Sequence, residues 1–327
     1  MISKHLILIF YFFCFIHCRN KPTINQFGKD KLARQLDQAI LDHPFEDSLY
    51  YLRATYSYQN GDFKSAQTDL MYAIKLDSLS PGYYHLLADA YIDNNDSFQG
   101  LSTMEQAAKQ FPDRIPTLLK LSEFQNILKQ YDQSLETITS VLKLDPVNAN
   151  AYLMAGVNLR DLKDTVNAIK NLVKATGYDD HLVDAWIILG QLTSKNNFKI
   201  AKAYFENAIR NDPDDINTLH SYAEFLQDSL PLFAISQYQK IISIDHKYED
   251  AYLNAGILYF RLDSFSQALN HFNILTQLEP AEAKFYYYRG TVKEAMADKN
   301  GARLDFEQAL HLKPDFTEAV KALKSLK

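Results

Sequence analysis

The sequence is poor in cysteine, glycine and proline, with 2, 10 and 10 of these residues among 327. So few cysteines exclude a disulfide-dense scaffold, and so little glycine excludes a collagen-like chain. Both cysteines, Cys14 and Cys18, lie near the N-terminus, so we expect the rest of the chain to be held together by packing. The formal net charge of −6 argues against a nucleic-acid partner, which needs a basic surface.

Long hydrophobic runs are also scarce, and the most prominent one covers residues 6–16. It is shorter than the about 20 residues of a membrane-spanning helix and fits the hydrophobic core of a secretory signal. Cys18 stands two residues after this run, and residues 1–18 resemble the signal peptide of bacterial lipoproteins, whose cysteine becomes the lipidated first residue. That family has a small residue before the cysteine, whereas this chain has His17. The alternative is an ordinary signal peptide or an uncleaved anchor, with Cys18 incidental.

The chain is rich in internal repetition, with a period of 34 residues. Pro112 and Pro146 are 34 residues apart, and so are Pro280 and Pro314. A fixed period of this length is typical of a repeat architecture. With proline at position 32, the repeats cover residues 47–80, 81–114, 115–148, 149–182, 183–215, 216–248, 249–282 and 283–316. Repeats 5 and 6 each lack one residue, around residues 195–198 and 228–231.

Small and bulky residues recur at fixed positions of the repeat. Position 8 is always small: Ala54, Ala88, Ser122, Gly156, Gly190, Ala223, Gly256 and Gly290. Position 20 is small as well: Ala66, Gly100, Ser134, Ala168, Ala201, Ala234, Ala268 and Ala302. Position 4 is large, and position 24 is bulky: Leu70, Met104, Ile138, Leu172, Phe205, Tyr238, Phe272 and Phe306. Small residues at positions 8 and 20 allow two helices to approach closely, and neighbouring repeats then cover the bulky face.

These residues resemble the tetratricopeptide repeat, in which two antiparallel helices form each unit of 34 residues. The resemblance implies an all-α fold, a right-handed α-solenoid of about eight helix-turn-helix repeats over residues 47–316. Residues 30–46 have the spacing of an N-terminal half repeat, and residues 317–327 that of a C-terminal capping helix. Residues 19–29 are predicted to be a tether between the membrane and the repeats.

Motifs of catalysis and metal binding are missing from the sequence. It contains no HExxH, no paired CxxC, no GxxxxGK[ST], no GxGxxG and no GxSxG motif. Residues 93–97 resemble a calcium loop in part, but Phe98 occupies the glycine position, so we predict an ordinary turn there. We therefore predict a protein without catalytic residues, metal or cofactor. An enzyme or a small-ligand binder is the alternative, and it requires a closed polar pocket.

The resemblance further implies that positions 2, 5, 6, 9, 12 and 13 of the first helices line a concave groove that binds peptides. Here positions 5 and 9 carry no Lys or Arg, so the clamp with which some members hold an acidic C-terminus is missing. The predicted groove has an apolar floor with amide side chains: Leu119, Asn126, Asn150, Leu153, Val157, Ile187, Gln191, Asn217 and Asn254. Alternatively, this apolar run packs against a neighbouring repeat or a second copy of the chain.

Together these features predict a non-enzymatic scaffold or adaptor of the bacterial envelope. We expect an exported lipoprotein, anchored in a membrane through Cys18 and facing the periplasm, which recruits extended or helical segments of other proteins. A permanent structural or assembly subunit of an outer-membrane complex is the alternative.

Overall fold

The computed structural model describes residues 26–326, and the side chains from residue 31 onward. Cys18 and the predicted signal peptide lie outside the described residues. The described part contains 18 helices and no β-strand. The helices are α1 (Gln26–Asp42), α2 (Asp47–Gln59), α3 (Phe63–Leu76), α4 (Pro81–Asp93), α5 (Ser97–Gln110), α6 (Ile115–Ile127), α7 (Tyr131–Leu144), α8 (Ala149–Asp161), α9 (Thr165–Tyr178), α10 (Val183–Thr193), α11 (Phe198–Asn211), α12 (Ile216–Leu226), α13 (Pro231–Ile244), α14 (Glu249–Arg261), α15 (Phe265–Leu278), α16 (Ala283–Ala295), α17 (Lys299–Leu312) and α18 (Thr317–Ser325).

Helix bounds follow the repeat closely, with one difference at the N-terminal end. Helix α1 begins at Gln26, so the last four residues of the predicted tether, 26–29, are helical. Each of the eight predicted repeats holds two helices, from α2 and α3 in repeat 1 to α16 and α17 in repeat 8. The chain divides into two compact units, the first ending at Thr137 and the second beginning at Ile138.

The small residues at positions 8 and 20 bring the two helices of a repeat together, as predicted. A Cβ atom on Gly100, at position 20, would lie 3.1 Å from the carbonyl oxygen of Ala88, at position 8. Position 8 also receives the bulky side chain of position 24. A Cβ atom on Gly190 would meet the ring of Phe205 at 2.7 Å, which is too close for any real side chain. At Gly190 the missing Cβ atom therefore leaves the space that the Phe205 ring occupies.

The aromatic residue at position 4 fixes the loop between repeats, a role that sequence reasoning did not assign. The Tyr50 hydroxyl donates to the Pro44 carbonyl oxygen at 3.0 Å, and the Trp186 indole donates to the Asp180 carbonyl oxygen at 2.8 Å. The same bond over six residues recurs at Tyr84, Tyr152, Tyr252 and Tyr286. Each ring thus packs between helices while its polar end satisfies a loop carbonyl.

Turns within the repeats are of two kinds. In six repeats position 15 has a positive φ: Gly61, Asn95, Lys129, Lys163, Asp263 and Ala297. There the next amide bonds back across the turn, as from Asp164 to the Leu159 carbonyl. The shortened repeats 5 and 6 have no positive-φ residue in their turns, and the Asn197 and Leu230 amides instead bond to Thr193 and Leu226. The residue that repeats 5 and 6 lack is therefore the one that has a left-handed backbone conformation in the other turns.

Repeats 1 and 8 also contain a buried ion pair between their helices. In repeat 8 the Arg289 guanidinium donates to both carboxylate oxygens of Asp305, at 2.6 and 2.9 Å. The Lys293 ammonium lies 2.8 Å from the same carboxylate, whose side chain is only 5% exposed. In repeat 1 Arg53 makes the equivalent pair with Asp69. A carboxylate this buried depends on its cations.

Candidate functional site

In both units some first helices of adjacent repeats contact one another directly, as α10 does with α12 and α16 with α18. In the second unit, α10 and α12 approach each other more closely than α11 and α13 do. In the first unit, α2 is likewise in contact with α4, and α4 with α6. Because the helices are closest on the inner side of a bend, each unit has an inner surface built from its first helices. We call this surface the first-helix face.

The amide residues predicted for the groove lie on the first-helix face of the second unit and reach solvent. Asn150 on α8, Gln191 on α10 and Asn217 on α12 are exposed. Val157 on α8 and Asn254 on α14 are half-buried. Three successive first helices therefore present side chains that both donate and accept hydrogen bonds.

The prediction of an apolar groove floor needs correction at two residues. Leu153 and Ile187 are each only 4% exposed. Leu153 belongs to the apolar cluster of Leu172 and Leu189, and Ile187 to that of Phe205 and Leu219. Both side chains point into the packing between helices and repeats, as the alternative interpretation had it. They are therefore not available to a ligand.

Leu119 and Asn126, the other two predicted groove residues, lie on α6 in the first unit and are half-buried. Next to Leu119, the Lys120 ammonium pairs with the Asp89 carboxylate at 2.7 Å. Burial lowers the pKa of His85 to about 4, with Lys120 contributing, so this imidazole is neutral at pH 7. The Lys120 ammonium on the first-helix face of the first unit is therefore already paired with Asp89 of the same unit.

Charges on the first-helix face of the second unit are unequally matched. Arg160 pairs with Asp161, and Arg261 pairs with Asp228. Between residues 138 and 326, Asp184 and Asp250 of this face make no ion pair, and the pKa of Asp184 on α10 is strongly shifted. Burial raises the pKa of Asp184 to about 6, and the nearby carboxylate of Asp215 adds to the shift.

A second acidic region surrounds Tyr238 on α13. Its side chain is fully buried, and its hydroxyl makes no well-formed hydrogen bond. Burial raises the pKa of Tyr238, the Glu224 carboxylate raises it further, and the Asn254 side chain opposes the shift. Tyr238 is the one member of the position-24 series with a hydroxyl group. That difference is the sequence signal that could have identified it.

His220 packs against the ring of Tyr238 and makes only long hydrogen-bond contacts. Its ring meets the edge of the Tyr238 ring with centroids 5.7 Å apart. Its Nδ1 atom is 3.4 Å from the Tyr248 hydroxyl, and its Nε2 atom is 3.4 Å from the Glu224 carboxylate. Both distances are long for hydrogen bonds. The His220 ring therefore packs against the Tyr238 ring without a short hydrogen bond that would fix its position.

From residue 26 to residue 326, no group of three or more His, Cys, Asp or Glu side chains is arranged to hold a metal ion. None of the helices in this range has the length and hydropathy needed to cross a bilayer.

Sequence comparisons lead to proteins built from tetratricopeptide repeats, although no family model matches the chain. Tetratricopeptide repeat protein 6 of Homo sapiens is 26% identical over 191 residues, covering 47% of this chain and 37% of that protein. The TPR repeat-containing protein MJ1428 of Methanocaldococcus jannaschii is 30% identical over 224 residues, covering 65% of this chain and 34% of that protein. The matches therefore span little more than a third of these relatives.

Solved structures with the same fold are also tetratricopeptide-repeat proteins. The C-terminal part of a TPR repeat-containing protein from Cytophaga hutchinsonii has a TM-score of 0.59 at 18% identity, covering 72% of this chain and 98% of that one. YrrB, described as a TPR protein with an unusual peptide-binding site, has a TM-score of 0.51 at 21% identity, covering 58% and 99%. The predicted fold class, an all-α tetratricopeptide solenoid, is confirmed, and the names of the relatives support the family assignment.

Proposed function

We propose that this chain is a non-enzymatic interaction scaffold of the bacterial envelope, which binds segments of partner proteins on the first-helix face of its second unit. The observation that carries this proposal is the exposure of Asn150, Gln191 and Asn217 on three successive first helices. Amide side chains can bond to the N–H and C=O groups of an extended chain or to the polar side of a docked helix. Tetratricopeptide proteins generally mediate protein–protein interactions, and YrrB, which shares the fold, has a peptide-binding site of its own.

Export and lipidation are the second part of the proposal, and they rest on the sequence of residues 1–18 alone. A lipid on Cys18 would keep the scaffold at one membrane, where its repeats face the periplasm and recruit partners locally. The family resemblance and the absence of catalytic motifs support a binding role over an enzymatic one.

Site-specific photo-crosslinking in the native cell tests the binding surface. A crosslinking residue replaces Gln191 on the first-helix face, and a matched variant carries it at Glu206, which is exposed on α11 in the same repeat. We expect a discrete protein adduct at residue 191 that disappears when Asn150 and Asn217 are changed to Ala. Equal adducts at residues 191 and 206, or an adduct indifferent to the two amides, would contradict the proposed surface.

Lipidation is tested by fatty-acid labelling of the full-length chain with Cys18→Ala and, as a matched control, Cys14→Ala. We expect the first substitution to abolish the label and to shift the chain from the membrane fraction to the soluble fraction. The second should leave both readouts unchanged. Persistence of the label in the Cys18→Ala variant would refute the lipid anchor and leave the binding surface to be judged by the crosslinking.

A further inference from the structure

The first-helix face of the second unit carries acids that its own cations do not neutralise. Arg160 and Arg261 are already paired with Asp161 and Asp228, on the same helix or the adjacent repeat. Lys195 and Lys284 make no ion pair among the described residues, and the Lys284 ammonium lies 5.0 Å from the centroid of the Phe285 ring, so neither cation neutralises an acid of this face. Among the described residues, Asp184 on α10 and Asp250 on α14 make no ion pair. The one basic side chain within ion-pair distance of Glu224 on α12 is His220, at 3.4 Å.

An independent observation points to the same place. The Tyr238 hydroxyl is fully buried yet has no well-formed hydrogen bond, and a buried polar group in that state costs stability. The hydroxyl lies between α12 and α14, where Glu224 and Asp250 are close enough to raise its pKa. It therefore offers an oxygen lone pair towards a site already flanked by two carboxylates. This arrangement suits a donor that carries positive charge.

We propose that the partner segment bound by the second unit is basic. One Lys or Arg side chain enters between Glu224 and Asp250, turns the His220 ring aside and donates a hydrogen bond to the Tyr238 hydroxyl. A second cation of the same segment pairs with Asp184. This inference rests on the proposed binding function and adds the chemical class of the ligand.

Charge complementarity decides against the other classes of peptide. An acidic segment would place its carboxylates against Asp184, Glu224 and Asp250, none of which has a Lys or Arg within ion-pair distance in the part of the chain that the structure describes. A neutral segment could bond to the exposed amides, but it would leave the three acids and the buried hydroxyl as they are. A basic segment satisfies all four groups, and such charge-assisted hydrogen bonds are stronger than neutral ones.

The test uses three fluorescein-labelled peptides that differ only in carrying Lys, Glu or Gln at the same positions. Fluorescence anisotropy gives their affinities for the full-length chain and for the triple variant Asp184→Asn, Glu224→Gln, Asp250→Asn. We expect the Lys peptide to bind best and to lose about tenfold or more in affinity to the triple variant. Tyr238→Phe should weaken the Lys peptide by roughly threefold to tenfold with little change in thermal stability, since it removes a buried hydroxyl that makes no well-formed hydrogen bond in the free chain.

A matched triple variant, Glu206→Gln, Glu307→Gln, Asp315→Asn, makes the same change in net charge at exposed residues outside the first-helix face. It should bind the Lys peptide with nearly wild-type affinity. An equal loss of affinity for the Lys peptide in both triple variants would mean that the peptide responds only to the net charge of the protein. That result would overturn the inference. Equal binding of the Gln and Lys peptides would overturn the basic ligand while leaving the binding function intact. If no peptide binds, both proposals fail.

Discussion

Repeats 5 and 8 each shield an acidic side chain from water, Asp184 in part and Asp305 almost fully, but only repeat 8 supplies cations for its acid. Asp305 accepts hydrogen bonds from Arg289 and pairs with Lys293, all within one helix pair. Asp184 in repeat 5 has no cation and lies near a second carboxylate, Asp215. The first acid belongs to the packing of its repeat. The second costs stability in the free chain, and a binding partner is what could supply its missing charge.

The largest effect is expected on the paired side of this comparison, from Asp305→Ala. The substitution strands two cations between α16 and α17, and breaking a buried pair typically costs about 3–5 kcal/mol. Urea unfolding of the variant should show a loss of that size in the free energy of unfolding. Asp228→Ala, which breaks the exposed pair with Arg261, should cost less than about 1 kcal/mol. Equal losses in the two variants would mean that the burial of Asp305 does not matter.

A smaller loss should be shared by the two repeats, because both pack an aromatic ring onto a glycine. Gly190→Ala in repeat 5 and Gly290→Ala in repeat 8 each place a Cβ atom 2.7 Å from a phenylalanine ring. We expect each to lower the free energy of unfolding by about 1–3 kcal/mol, measured by urea titration. Gly177→Ala meets no atom within 4 Å and should instead stabilise the helix slightly. A neutral result at Gly190 and Gly290 would show that the rings can shift away.

The smallest effect, and one of opposite sign, is expected from Asp184→Asn. Burial raises the pKa of Asp184 from 3.8 to about 6, so the folded chain holds this proton more tightly than the unfolded chain. The wild type should therefore lose stability as pH rises from about 4 to 6, and the variant should not. At pH 7 we expect the variant to be more stable by about 1–2 kcal/mol, a value discounted for partial exposure of the carboxylate. Thermal unfolding at pH 4 and pH 7 checks this, and a destabilised variant at pH 7 would contradict it.

The sequence by itself determined the repeat and the pairing of helices. Each helix pair is built within 34 residues, so the small residues at positions 8 and 20, such as Ala88 and Gly100, report a contact that lies close by in the chain. Even the absence of one turn residue in repeats 5 and 6 could be located, because the left-handed residue it removes has a fixed place in every other turn.

Only the tertiary structure decided which side chains of the first helices are open to a ligand. Leu153 and Ile187 occupy groove positions yet are buried, because neighbouring helices and repeats fill the space above them, whereas Gln191 is exposed. The Tyr238 hydroxyl, which makes no well-formed hydrogen bond, and Asp184, which has no cation beside it, likewise owe their surroundings to side chains from other helices. The spacing of residues along a helix sets the direction of a side chain. Its burial and its charge balance depend on the side chains that adjacent repeats pack around it.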